Sequence, residues 1–141
     1  MTTGDGGALV RRFIQEVFEQ GRTDRLGELV AEDFVSHGFH IAEDGRRTME
    51  QAAARVHAQL RDVEFVVEDV LVDGDRVAVR LTASATPTGE FMGVPAAAGR
   101  RYTIGEMHWF RISDGLISEH WHQHDALGLL QQLGSDDAAQ P

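Results

Sequence analysis

The hydrophobic period of this chain changes once, and the change restricts the fold more than any other feature. Up to Asp62 apolar side chains recur three and four residues apart; from Val63 onward they alternate. Helices followed by strands, rather than alternating with them, indicate an α+β domain in which helices cover one face of an antiparallel sheet. In the first half, Leu9, Val10, Phe13, Ile14, Val17 and Phe18 trace one amphipathic helix from Ala8 to Gln20, with Gly21 as its stop. Thr23 or Asp24 can cap a short second helix through Val30, after which "AEDFVSHGFH" breaks the period and is expected to form a loop carrying aromatics. Thr48 has Gln51 three residues on, a capping-box pattern that opens a third helix, "MEQAAARVHAQLRD", with Ala52, Val56 and Leu60 inward and His57 structural.

The second half reads as two hairpins. "VEFVVEDVLVDGDRVAVRLTASAT" folds back at Asp73-Gly74-Asp75, and "RRYTIGEMHWFRISDGLISEHWHQHD" at Ser113-Asp114-Gly115. The Gly/Pro loop "PTGEFMGVPAAAG" between them is anchored by Phe91 and Met92, and "ALGLLQQLG" makes a short closing helix. With 141 residues, 42% of them hydrophobic and 26% charged, the chain can bury a core as a single domain, residues 8–134. The Gly-rich stretch 1–7 and the acidic, Ala-rich stretch 135–141 are expected to be flexible ends. A net charge of −10 repels phosphate backbones and anionic lipid, so neither nucleic acid nor membrane is an expected partner. The absence of cysteine excludes disulfides and thiolate metal sites. No apolar run reaches signal-peptide or membrane-span length, and the expected location is cytoplasmic.

His108, His120, His122 and His124 crowd into the last hairpin, and their use depends on which of them share a face. A three-residue loop at Ser113–Gly115 would pair Ile112 with Leu116, His108 with His120 and Glu106 with His122. Glu106, His108, Phe110, His120, His122 and His124 would then line one side of the sheet, with Met107, Trp109, Arg111, Glu119 and Trp121 on the other. A two-residue turn would instead set the histidines of the two strands on opposite faces. The two indoles on the outer face are expected to serve packing or a dimer interface, and the protein is expected to be a homodimer.

These stretches carry a family resemblance. "DGDRVAVR", "TGEFMGVP", "RISDGLISEHW" and "LLQQLG", together with the upstream "AEDFVSHG", stand in the order and spacing of the SnoaL-like polyketide cyclases, so the chain resembles that family from about Ala8 to Gly134. The resemblance implies a cone-shaped α+β barrel, a curved antiparallel sheet wrapped around N-terminal helices, with a ligand cavity between them. It also implies a cofactor-free reaction: aldol closure of a polyketide ring by a residue that takes a proton from carbon and returns it to oxygen. In the family that residue is an aspartate directly after the tryptophan of the E-x-W element. Here Trp121 is followed by His122, a departure that puts an imidazole where the carboxylate is expected. Histidine is the side chain best suited to act as base and then acid near neutrality.

The candidate catalytic residues are therefore His122, Glu106 as its orienting partner, His120 and His108. Asp125 is expected to cap the last helix. His37, Phe34, Phe65, Phe110, Phe91 and Met92 are candidate contacts for an apolar or aromatic oxygenated small molecule. No cofactor is expected. Metal binding is the sharpest rival, since His120-x-His122 with His108 and Glu106 could supply three or four ligands, but no native metal is expected. A non-catalytic binding module, or a divergent dehydratase, hydrolase or isomerase, remains open at this stage.

Overall fold

The computed structural model describes residues 3–38 and 45–134, with side chains from Gly6 onward. A curved, unclosed five-stranded sheet runs β1-β5-β4-β3-β2, and the helices pack on its concave side. The elements are α1 (Thr3–Arg12), a π-helical continuation (Phe13–Glu19), a 3₁₀ turn (Thr23–Arg25), α2 (Leu26–Leu29), β1 (Val30–Ser36), α3 (Arg46–Gln59), β2 (Leu60–Asp73), β3 (Arg76–Pro87), β4 (Tyr102–Ser113), β5 (Leu116–His124) and α4 (Ala126–Leu133).

The α+β class stands, with three local corrections. Helix α1 starts at Thr3, so the expected flexible stretch 1–7 is largely helical; Gly6 and Gly7 are buried, and a Cβ at Gly6 would lie 3.1 Å from Val77 Cγ2. Small residues there let the helix approach the sheet closely. The stretch expected as a loop after Val30 is strand β1, which pairs in parallel with β5, so the sheet is mixed rather than wholly antiparallel. An edge strand with a register shift between Val30 and Val35 has little local signature, because its pairing partner is far away in the chain. Helix α3 begins at Arg46 after Gly45, and Thr48 is a buried first-turn residue rather than a cap. The closing helix behaves as expected: Asp125 Oδ1 accepts from Gly128 N at 2.9 Å. The expected tail 135–141 lies outside the described residues.

Strand β3 decides where the core ends and a cavity begins. Val77, Val79, Leu81, Ala83 and Ala85 alternate inward. Val77 and Val79 join Val10 and Val17 in the core, whereas Ala83 and Ala85 line the cavity together with Leu81. Bulges at Arg61/Glu64 and Val67/Asp69 of β2 add bend on that side of the sheet.

Candidate active site

The last hairpin makes a two-residue turn. Ser113 pairs with Leu116, and Asp114 and Gly115 both have positive φ (52° and 77°), as a type I′ turn requires. Continued regularly, that turn would turn His120 away from His108. The strand corrects itself at once: Ile112 pairs with Ile117 but Arg111 with Glu119, so Ser118 is an extra, bulged residue, and its Oγ donates to Arg111 O at 3.1 Å. Beyond the bulge the register differs by two residues from the three-residue expectation. An even shift preserves faces and changes partners. His108 is opposite His122, Phe110 opposite His120, and Glu106 opposite His124. The expected Glu106–His122 and His108–His120 cross-strand pairs are therefore replaced, while all four side chains line one cavity.

Glu106 serves His108 instead. A carboxylate can only accept, so His108 Nε2 donates to Glu106 Oε1 at 2.8 Å; neutral His108 then has its lone pair at Nδ1 and accepts from His120 Nε2 at 2.8 Å. The result is a directional chain, His120 to His108 to Glu106. The rings also stack. His122 lies 5.3 Å from both His108 and His120 at interplanar angles of 14° and 9°, and His124 continues the pile 5.8 Å beyond His122. His120 is the deepest member, 1% exposed, with Phe110 stacked on it at 4.7 Å. Burial, and then the charges that His108, His122 and His37 would carry, hold its pKa well below the ordinary histidine value. The Nδ1 atoms of His120 and His122 are shielded from solvent.

The cavity over these rings measures about 210 Å³ and is otherwise apolar. Phe65, Phe91 and Met92 line it as expected; Phe110 is wholly buried behind His120, and Phe34 is in the core. His37 is on the opposite face, where its ring stacks on Trp121 at 4.6 Å and its Nε2 meets Glu119 Oε2 at 2.9 Å. The place of Phe34, Phe110 and His37 in the substrate-contact set is thus corrected: none of the three lines the cavity. Phe13, Phe18 and Tyr102 do line it. Phe13 and Phe18 were legible only as one apolar helix face, and rings five residues apart meet at 5.3 Å because the helix there is π rather than α. Tyr102 shares strand parity with Glu106, which was the available signal. Burial, then the charge of Glu106, pushes its pKa up to about 12, so the phenol keeps its proton. No Lys or Arg lines the cavity among the described residues. Nor, among those residues, do three or more His, Asp or Glu side chains converge as metal ligands; stacked rings set their in-plane lone pairs side by side.

Fold and site together define a protein with a largely apolar cavity lined at one end by an imidazole–carboxylate chain. The sequence profile of the SnoaL-like polyketide cyclases matches residues 8–133, and the chain belongs to that family. It is 31% identical over 135 residues, 89% of this chain and 88% of the relative, to aklanonic acid methyl ester cyclase DnrD of Streptomyces peucetius. It is 31% identical over 124 residues, 83% and 89% of the two chains, to nogalonic acid methyl ester cyclase of Streptomyces nogalater. Among solved structures, TsrD from Streptomyces laurentii superposes with a TM-score of 0.87 at 29% identity, covering 96% of this chain and 98% of that one. IdmH from Streptomyces antibioticus gives 0.78 at 32%, covering 92% and 98%.

Proposed function

We propose that this protein closes a ring in a neutral, apolar oxygenated polyketide by cofactor-free acid/base catalysis, with His122 as the proton-transfer residue. The observation that carries the reading is the stacked imidazole set, tied to a carboxylate, at the one polar end of an apolar cavity. His122 borders the cavity and its Nδ1 side faces Gly38; it follows Trp121, where the resemblance puts the family's aspartate, and in this reading Nε2 is the atom that meets the substrate. Nε2 removes a proton from a carbon flanked by carbonyls. The resulting enolate carbon attacks a ketone of the same molecule, and the alkoxide formed takes the proton back from His122. The product is an isomer of the substrate, so no oxidant or leaving group is required. Glu106 acts through His108: it fixes that ring's tautomer and adds negative charge near the imidazolium that His122 becomes. His120, with one nitrogen bonded to His108 and the other shielded, supports the stack rather than touching substrate.

The test is incubation with aklanonic acid methyl ester and detection of an isomer of equal mass. His122→Ala should lower turnover by about 10²- to 10⁴-fold. Unchanged turnover in that variant would remove His122 from the reaction, and binding without turnover in the wild type would make the protein a ligand carrier.

The same reading includes a homodimer through the outer face, where Leu71, Met107 and Trp109 are 72%, 60% and 45% exposed and Trp109 pairs with Trp121 to line one groove. It also includes a cytoplasmic location, which cell fractionation tests. No helix of the described residues is long and apolar enough to cross a membrane.

A further inference from the structure

Strand β1 ends beside the candidate catalytic ring. Ser36 pairs with His120, and His37 N donates to His120 O at 2.8 Å, so the next residue, Gly38, arrives alongside His122. On the outer face the His37 side chain is fastened, stacked on Trp121 and bonded to Glu119. Alternation turns residue 38 to the inner face, and there the imidazole of His122 fills the volume that a side chain would need. A Cβ built on Gly38 collides with His122 Nδ1 and lies 2.7 Å from Cε1 and 3.1 Å from Cγ. The φ of Gly38 is outside the left-handed region, and the three atoms nearest to an added Cβ all belong to the His122 ring.

We propose that Gly38 is a positioning residue: the backbone just beyond β1 forms a wall on which the His122 ring rests, holding its Nδ1 edge against Gly38 and its Nε2 edge toward the substrate. This rests on the reading of His122 given above. It also implies a coupling between two positions far apart in the sequence. A histidine after Trp121 needs a glycine at 38, and the His37 anchor keeps that glycine close.

The test is a double-mutant cycle between Gly38→Ala and His122→Ala, read by thermal melting, by imidazole NMR of His122 and by binding of 1,8-dihydroxyanthraquinone, a neutral planar probe. Gly38→Ala alone should displace the ring from its stack on His108 and His120. The His122 ring signals should shift, and the melting temperature should fall by about 5 °C, the scale of an overpacked interior site. In the His122→Ala background the same substitution meets no ring and should change the melting temperature by less than about 1 °C. If Gly38→Ala does not fold, the double variant should, since it lacks the ring that causes the clash. Additive losses, unchanged His122 signals, or a double variant that also fails to fold would overturn the proposal. Probe binding separates this from the broader reading. A wild type that does not bind the probe counts against the cavity as the ligand site, whereas the melting cycle still decides the role of Gly38.

Discussion

Replacing His120 by phenylalanine should flatten the acid branch of the protein's stability curve, and the size of the effect follows from where the ring sits. His120 is enclosed by Phe110 at 4.7 Å and Phe13 at 6.5 Å, with 1% of its surface exposed. Burial first, and the potential charges of His108, His122 and His37 second, keep it neutral in the native state well below the pH at which a free histidine protonates. In the unfolded chain it titrates near ~6.5. Above that pH both states are neutral and the residue contributes no pH dependence. Below it the unfolded state binds a proton that the native state does not. Unfolding therefore becomes easier as pH falls, by about 1.4 kcal/mol per pH unit while native His120 stays neutral. For a chain of this length the unfolding entropy is roughly 0.3 kcal/mol/K, so the melting temperature should drop by about 5 °C per pH unit from this residue alone. His120→Phe keeps a ring in the stack and removes the titration. The assay is calorimetry from pH 7 to pH 5, above the range in which ordinary carboxylates dominate. The variant begins from a different melting temperature because His108 loses a donor, so the slopes are compared rather than the values. Parallel slopes for wild type and variant would refute the reasoning.

Other perturbations test the remaining parts of the site. Glu106→Gln keeps an oxygen to accept from His108 but removes the charge, and turnover should fall about tenfold with little change in KM; a loss confined to KM would show that Glu106 contacts substrate instead. Tyr102 is the only tyrosine in the chain, so the ultraviolet tyrosinate band should rise with a midpoint near the pKa of about 12 to which burial and Glu106 push it; a midpoint near that of free tyrosine in the folded protein would contradict its burial. Trp109→Glu on the outer face should convert a dimer to a monomer in sedimentation, and a wild type that is already monomeric at micromolar concentration would rule out that interface.

Much of the architecture was legible because it is written in local periodicity. The apolar face of the first helix, both hairpins and the Asp125 cap each depend on residues a few positions apart. The missing strand was not legible. Val30–Ser36 is a strand only because β5 lies beside it, and nothing near it in the sequence announces that neighbour. The candidate site was legible by parity and illegible by partner. Alternation groups Glu106 with His108 and His120 with His122, but that the two pairs share a face, and which imidazole the carboxylate serves, depends on a single bulged residue. The aromatic contacts divided along the same line: Phe65 on a strand facing inward was readable, whereas the π turn that joins Phe13 to Phe18 in the cavity wall leaves no mark in an apolar helix face.

That bulge makes the last prediction an unusual one. A deletion inside a β-strand ordinarily reverses every side chain beyond it, because the side-chain period is two. Deleting Ser118 should not. In the present register Ile112 pairs with Ile117 and Arg111 with Glu119, and Ser118 is the residue left over between them. Without it, Ile117 and Glu119 become neighbours and continue the same pairs, so His120 and His122 still face Phe110 and His108. The cost is the local bend and the Ser118 Oγ bond to Arg111 O, on the order of 1–3 kcal/mol, within the usual range of a single change. The variant should fold, keep the stacked histidine signals in NMR and keep binding 1,8-dihydroxyanthraquinone. Face reversal would have a different signature. Glu119 and Trp121 would be driven into the cavity and the histidines outward, and the protein would lose its cooperative transition. That outcome would mean that Ser118 is an ordinary ladder residue, and that the histidines share a face for some reason other than the bulge.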